Sequence, residues 1–513
     1  MPEHPSTIDA VLRNQAARHG CKPAVIDPAA RISYDDLDAS TRDVAAAFVA
    51  AGVGKGTRVG LIMPNGVRWV QIALALTRIG AVLVPLSTLL TAGELIAQLR
   101  VASVQFLISV EEFRGHRYLD ELHARTPKLP ALRHVWPVGQ IALATPGGPA
   151  AGIVDKLTAA VSASDPLVIM FTSGSSGPPK GVVHSHGNAL AAVRSGLAAR
   201  CIHPATRLYL PMPFFWVGGF GGGILSALLA GATLVTEEIP QPQTTLRLLE
   251  RERVTLFRGW PDQAEALARH ADSVGADLSA LRQGSLEAVL PPHQRAEPGA
   301  RAKLFGMTEA FGPYCGYPAD TDMPRSAWGS CGKPFEGMQV RIVEPDTGEP
   351  APIGAIGMIQ IRGPHTLRAV CRRSREDLFT ADGYYPTGDL GHLDADGFMF
   401  YHGRSDDMFK VSGATVYPTE VEQALRTIDG VDHAFVTNLT GANGDQVGAA
   451  VVCDTATTSA DQLRDAARKL LSAFKVPTVW LLLDSNDASD DAIPRGSTGK
   501  VDARRLRDML LTH

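Results

Sequence analysis

The run Phe171-Thr172-Ser173-Gly174-Ser175-Ser176-Gly177-Pro178-Pro179-Lys180-Gly181 combines residue types that suit one task, holding the oxygens of a polyphosphate. Its three glycines let backbone N–H groups turn inward, four hydroxyls add donors, and Lys180 adds positive charge. A flexible linker has a similar composition, but a linker does not follow a buried strand or carry Pro-Pro-Lys as stiffening. The Walker A pattern Gly-x4-Gly-Lys-Ser/Thr occurs nowhere in the chain. Other residues make weaker cases. His184-x-His186 reads as a metal pair or as a turn after the loop, and no third or fourth ligand accompanies it. Six scattered cysteines without a CxxC pair suggest neither a zinc ribbon nor a redox dithiol; reduced thiols in a cytoplasmic protein are expected.

Such a loop needs elements to aim it. Strand-like residues 31–34, a helical pattern through Phe48 ending at Gly52, a buried strand over 59–62, helical spacing over 67–78 and a strand over 82–84 follow one another. Thr91-x-x-Glu94 is a capping box that opens a further helix, and residues 104–110 close the series. Alternation of this kind predicts parallel sheet covered by helices. A Pro/Gly-bearing stretch at 145–152 precedes a second α/β block with a strand over 167–172 and another at 230–235. From about Gly337 the texture becomes β-rich, with runs at 339–343, 357–362 and 397–402. The last hundred or so residues read as a small α+β unit: strands over 434–437, 447–453 and 479–483, helices over 419–425, 459–473 and 502–511.

Composition bounds the partners. With 49 basic and 53 acidic residues among 513, a net charge of −4 and no long basic block, a nucleic-acid footprint is excluded and small molecules are expected. The N-terminus lacks a signal-peptide pattern. The most apolar stretch, 72–90, is interrupted by Arg78 and Pro85, short of the roughly 20 residues a membrane span needs. It reads as a buried helix followed by a strand.

Five motifs in order over 171–500 resemble those of the adenylate-forming superfamily, on its acyl-CoA synthetase side. They are the glycine loop; Leu304-Phe305-Gly306-Met307-Thr308-Glu309; Tyr385-Pro386-Thr387-Gly388-Asp389-Leu390; Gly403-Arg404-Ser405-Asp406-Asp407 with Lys410, Ser412, Gly413, Pro418 and Glu420; and Pro494-Arg495-Gly496-Ser497-Thr498-Gly499-Lys500. The resemblance implies a large N-terminal portion (1–403) of two parallel-type α/β sheets plus a β-rich distorted barrel. A mobile C-terminal lid (404–513) follows, with its hinge near Asp406.

The resemblance also implies ATP, Mg²⁺ and coenzyme A. Lys500 would bridge the carboxylate and the α-phosphate, two anions whose approach needs fixed positive charge. Glu309 would hold Mg²⁺ and Thr308 offer a hydroxyl, although Thr-Glu is also a common helix N-cap. Asp389 would take the ribose hydroxyls and Arg404 a second ribose or phosphate contact. Phe305 would stack on the base beside Gly306 and Met307, with Gly284-Ser285 reading its edge; Phe305 is equally a core residue. The segment holding Lys410, Ser412 and Gly413 would line the path of the thiol.

The acyl pocket is expected at 210–223, where Trp216 follows Phe215 and replaces the family's usual histidine. Gly218, Gly219, Gly222 and their neighbours either leave room for substrate or pack helices. Residues 366–371 replace the family's Gly-Tyr segment, which suggests a looser surface loop, and residues 484–493 make a long acidic approach to Lys500. The implied reaction is ATP-dependent activation of a hydrophobic acid, fatty or bulky alicyclic, followed by transfer to coenzyme A. Alternatives are an aryl-acid CoA ligase, an acyl-AMP ligase serving a separate carrier protein, and a non-catalytic nucleotide-binding module. A homodimer is the assembly considered.

Overall fold

A computed structural model describes residues 5–125, 128–141, 149–172, 179–345, 347–405, 407–411, 414–441, 444–484, 493–495 and 501–512. The chain forms two compact units, Met1–Gln339 with Arg362–Gly383, and Val340–Ile361 with Tyr384–His513.

The first unit is built on a seven-stranded sheet, in the order Ala369–Val370, Lys180–Ser185, Pro166–Thr172, Val82–Pro85, Arg58–Ile62, Phe106–Ser109 and His134–Pro137. Five strands run parallel, and apolar runs such as Val59, Leu61 and Ile62 are buried because helices cover both faces. At one end the parallel run gives way to antiparallel pairing. Lys180–Ser185 returns antiparallel to Pro166–Thr172, and Ala369–Val370 adds antiparallel beside it. The glycine loop is too short for a parallel crossover, which takes a dozen or so residues, so the chain makes a hairpin there.

A second sheet of five strands runs Leu256–Phe257, Arg207–Tyr209, Thr233–Val235, Pro23–Ile26 and Arg31–Ser33, parallel except at its last strand. Helix Val67–Arg78 matches the 3.6-residue spacing and is almost wholly buried, from Trp69 to Leu76. Of its two arginines, Arg68 and Arg78, the second is 4% exposed and pairs with Asp9 at 2.9 Å and with Asp38. No helix among the described residues is long and apolar enough to cross a membrane. The capping box forms as expected: Glu94 N–H donates to Thr91 Oγ1, and Thr91 N–H donates to Glu94 Oε2 at 2.9 Å.

The second unit contains the open sheet Gln339–Val343, Gly357–Arg362, Tyr385–Leu393 and Met399–Arg404. The expected barrel is not closed among the described residues; four strands leave two edges and no room for an interior. Towards the C-terminus a sheet of Val431–Gly441, Gly444–Cys453 and Val479–Asp484 separates two small cores. Val447, Ala449 and Val451 pack with Val421, Leu425 and Leu463, while Ala450 and Val452 pack with Leu506 and Leu510. This period of two is what a sheet covered on both faces requires.

Candidate functional site

Thr172 closes one strand of the hairpin and Lys180 opens the other, and the two are register partners. The ends of the glycine loop are therefore clamped side by side. Ser173, Gly174, Ser175, Ser176 and Gly177 lie outside the described residues.

Lys180 Nζ donates to Glu309 Oε1 at 2.5 Å, across 129 residues of sequence. Glu309 sits in a three-residue 3-10 turn, Thr308–Ala310, whose preceding residue makes no side-chain cap. The helix N-cap reading of Thr308 therefore fails: no longer helix follows. The turn is held from behind instead. His184 Nε2 lies 2.7 Å from the Thr308 carbonyl, and Leu367 N–H donates to the Glu309 carbonyl at 2.7 Å.

The orientation of His184 is imposed by Asn188. The Asn188 Oδ1 accepts the Ser185 N–H at 2.6 Å, which leaves its amide nitrogen to meet His184 Nδ1 at 2.8 Å and the His365 carbonyl at 3.2 Å. With Nδ1 accepting, the ring proton resides on Nε2 and is given to Thr308 O. Burial pushes the His184 pKa down to about 4, so the ring is neutral near pH 7. His184 thus acts as a strut in the packing. His186 accepts the Ile8 N–H at Nδ1, so both imidazoles of the sequence pair are engaged in packing contacts at the strand–helix junction. Neither His184 nor Asn188 was singled out as a positioning group in the sequence; only their spacing of four along the strand–helix junction hinted at contact.

Residues 366–371 are not a loose surface loop. Thr366, Leu367 and Val370 are buried, and Arg368 and Cys371 donate backbone N–H groups to Val183 and Gly181. The segment is the edge strand that ties the hairpin to the Thr308–Ala310 turn, so its apolar content is explained by burial.

Phe305 lies on the strand Phe305–Met307, half-buried and edge-on to Tyr314 at 5.7 Å. Gly306 is obligatory there: a Cβ would fall 2.1 Å from the Gly312 carbonyl oxygen. Gly284 and Ser285 lie beside the strand Leu256–Phe257, across the helix Pro261–Val274 in sequence, and their polar groups are engaged internally. The Gly284 carbonyl accepts from Arg258 at 2.7 Å, and Ser285 Oγ accepts the Phe257 N–H at 3.1 Å.

The aromatic segment lies in the same unit. Phe214 and Phe215 are buried, and Trp216 stands edge-on to Phe215 at 5.5 Å and to Trp260 at 5.6 Å. Trp260 and Asn65 were not anticipated. Asn65 accepts the Phe214 N–H at 2.8 Å and donates to the Met212 carbonyl at 2.9 Å, pinning the segment. Between Pro64 and Gly66 it reads only as a turn residue.

The glycines divide sharply. A Cβ on Gly219 would lie 2.1 Å from the Pro213 carbonyl oxygen; on Gly218, 2.7 Å from Met212 Sδ; on Gly221, 3.0 Å from Phe311; on Gly223, 2.9 Å from Leu210. These four permit close packing. Gly222 meets nothing within 4 Å and faces open space. The segment 220–225 winds as a π-helix, a form frequent at functional sites. Phe311 joins this apolar wall to the charged turn: it packs edge-on to Phe220 at 6.2 Å and to His184 at 5.0 Å.

In the second unit Asp389 and Arg404 are cross-strand partners, with Arg404 Nη1 3.3 Å from Asp389 Oδ1 and 2.9 Å from the Thr387 carbonyl. Thr387 Oγ1 in turn accepts the Asp389 N–H at 3.0 Å and donates to the Ile359 carbonyl. Lys410 opens no further account, since only its backbone, in the strand Phe409–Val411, is described. Asp406, Ser412, Gly413 and Lys500 lie outside the described residues, as does most of the acidic approach at 484–493.

Glu309, with the Thr308 hydroxyl beside it, fits a hard divalent cation as one protein ligand among substrate phosphates and waters, the usual manner of Mg²⁺.

Residues 12–370 match the family model described as AMP-binding enzyme. The chain is 32% identical to 3-[(3aS,4S,7aS)-7a-methyl-1,5-dioxo-octahydro-1H-inden-4-yl]propanoyl:CoA ligase of Mycobacterium tuberculosis, over 98% of each chain. It is 28% identical to 3-hydroxybenzoate–CoA ligase of Aromatoleum sp., over 95% of this chain and 94% of the relative. Among solved structures, ATP-bound MatB from Rhodopseudomonas palustris superposes with a TM-score of 0.80 at 24% identity, covering 99% of both chains. An anthranilate CoA ligase in complex with anthranoyl-AMP gives 0.81 at 22% identity, covering 99% of this chain and 98% of that one. These two establish the fold.

Proposed function

For a chain that belongs to the AMP-binding enzyme family and is an acid–thiol ligase of the acyl-CoA synthetase type, we propose that the substrate is a bulky hydrophobic carboxylic acid, alicyclic or aromatic. In the first half-reaction a carboxylate oxygen attacks the α-phosphorus of ATP, and pyrophosphate leaves with the electron pair of the broken P–O bond. In the second, the coenzyme A sulfur attacks the acyl carbon and AMP departs. The adenylate is activated by its own leaving group, so no cysteine of the enzyme is needed.

The observation that carries this reading is the junction at Phe311. On one side lies the Lys180–Glu309 pair at the foot of the glycine loop; on the other lies an aromatic wall with Gly222 opening beside it. An anion-handling end and an apolar end are joined through one side chain, the arrangement an amphipathic acid requires. Rings are favoured over long chains by the perpendicular indoles of Trp216 and Trp260. The ligases named above act on a fused-ring propanoyl compound and on a hydroxybenzoate, which supports the same choice.

Bound Mg²⁺ would be held by Glu309 and would supply charge neutralisation at the phosphates. Lys180 and Thr172 serve the phosphates, Asp389 and Arg404 the ribose, and Phe305 the base; Lys500 supplies the charge that brings carboxylate and α-phosphate together. From the motif resemblance we also place a hinge at Asp406, between portions of 1–403 and 404–513. It lets Lys500 and the segment of Lys410 to Gly413 act in turn.

The test is a panel of aliphatic, aryl and polycyclic acids assayed for AMP formation dependent on ATP and free coenzyme A. Fused-ring and aryl acids should give the highest kcat/KM. Trp216→Ala should shift the ring-size preference by about tenfold rather than lower all substrates equally. AMP formation that ignores coenzyme A and needs a carrier-protein thiol would overturn the acceptor; a preference for long aliphatic chains would overturn the substrate class.

A further inference from the structure

Away from the hairpin and the aromatic wall, a cavity of about 640 Å³ gathers charge of one sign. Arg31, Arg207, Arg251, Arg253 and Arg282 line it, with Thr255 and Ser279 supplying hydroxyls. The cavity lies where the helix Pro242–Arg251 ends and the strands Arg207–Tyr209 and Leu256–Phe257 begin. Arg207 opens the strand whose other end leads into the segment before Trp216, so the two sites use opposite ends of that strand.

Glu252 organises the arginines. It is 3% exposed and accepts from Arg31 at 2.8 and 2.9 Å, from Arg207 at 2.8 Å and from Arg251 at 3.1 Å. Three guanidinium groups thus converge on a single carboxylate, which neutralises only one of them. At Arg207 burial lowers the pKa, Glu252 opposes that shift and Arg31 adds to it. Lys22, with its ammonium on the Pro204 and Gly231 carbonyls, adds a further positive field at Arg207.

The remaining two arginines extend the same field. Arg253 stands at φ +45° in the turn between helix and strand, a left-handed conformation that is costly for a residue with a long side chain, and faces Asp277. Arg282 approaches His203 Nε2 at 3.4 Å, and its backbone N–H donates to Thr255 O. Glu252 and Asp277 together leave an excess of positive charge in a concave site, within a chain whose overall charge is negative. Guanidinium forks present paired N–H donors that match phosphate oxygens, and a carboxylate buried beneath them holds the forks in place before any ligand arrives. A cavity of this size admits a ligand of nucleotide dimensions.

We propose that this cavity is a second anion site that binds an oligophosphate group, free or as part of a phosphate ester, independently of the catalytic phosphates. The occupant would tie the end of the helix Pro242–Arg251 to two strand starts, neutralising charge that the fold leaves exposed.

The experiment is isothermal titration of the full chain with inorganic tripolyphosphate at near-physiological salt. Wild type should show two binding events, one for the glycine loop and one for the arginine cavity. The double variant Arg253→Gln/Arg282→Gln spares the three arginines on buried Glu252 and therefore keeps the fold. It should weaken one event by about tenfold or more while its AMP-forming rate without tripolyphosphate stays unchanged. The single variant Arg282→Gln should show a smaller loss in the same event. ADP that competes at this event identifies a phosphate ester as a ligand; ADP that does not compete leaves the free oligophosphate. A single binding event in wild type, or two events unaltered in both variants, would overturn the proposal.

Discussion

Two acid–base pairs, Lys180–Glu309 and Asp389–Arg404, carry motif residues in different units and are built in opposite ways. The first joins residues 129 apart; the second joins residues 15 apart on adjacent strands of one hairpin. The first is shorter, 2.5 Å against 3.3 Å, and its lysine is 24% exposed where Arg404 is 37% exposed. Short range in sequence therefore goes with the looser pair. Lys180–Glu309 needs an entire layer to support it: the hairpin in front, the edge strand beside it, and His184 with Asn188 behind. Asp389 and Arg404 are supported by a β-ladder and by the hydroxyl and carbonyl of Thr387.

The contrast breaks if removing one partner has the same consequence in both places. Lys180→Met takes the ammonium from a carboxylate that is 8% exposed. It should cost about 3 kcal/mol of stability in denaturant unfolding and lower kcat/KM for ATP by roughly a hundredfold. Should its unfolding midpoint move no further than that of Arg404→Met, tertiary support adds nothing to the first pair.

A smaller effect sharpens the role of the buried layer. The His184 ring is held near pKa 4 by burial, against 6.5 when exposed. Between those values the unfolded chain takes up a proton that the folded one refuses, so stability is full above pH 6.5 and declines as pH falls towards 4. His186 and His365 are lowered to about 4 as well, by burial first, and share the slope. His184→Gln, which keeps a side-chain donor for Thr308 O, should remove about 1–2 kcal/mol of the loss between pH 7 and pH 4.5. Unfolding curves at the two pH values measure it, and an unchanged difference would show that His184 titrates in both states.

The smallest effect belongs to the second pair. Arg404→Met should cost less stability than Lys180→Met, about 1 kcal/mol, because its contact is longer at 3.3 Å and its guanidinium is 37% exposed, although Asp389 is as buried as Glu309, and raise KM for ATP a fewfold with kcat nearly constant. A large fall in kcat would make Arg404 part of the reacting machinery and not a binding contact.

The same division governs what was legible. The capping box at Thr91, the helix over 67–78 and the strands at 339–343 and 357–362 were readable because each is specified within a few residues by periodicity and capping chemistry. Thr172 and Lys180 were singled out from loop composition and Asp389 with Arg404 from their motifs, but their pairings, Lys180 with Glu309 across 129 residues above all, were not. The reading of 366–371 as a loose loop was wrong because nothing within the six residues announces the partner strand. Trp260 and Asn65 were missed for the same reason: a tryptophan before a helix and an asparagine in a turn are ordinary until the segment around Trp216 packs on them.

By itself, then, the sequence determined the alternation of strands and helices, the phosphate-suited loop and the motif residues of the AMP-binding family, since these depend on contacts within a turn or on residue types alone. Only the tertiary structure decided that Lys180 meets Glu309, that His184 holds the Thr308 carbonyl, that four of the five glycines near Trp216 are packing sites while Gly222 is open, and that Arg31 and Arg207 meet Arg251 on Glu252. Those pairings join segments tens to hundreds of residues apart. Close packing of buried surface selects them, and no local preference encodes it.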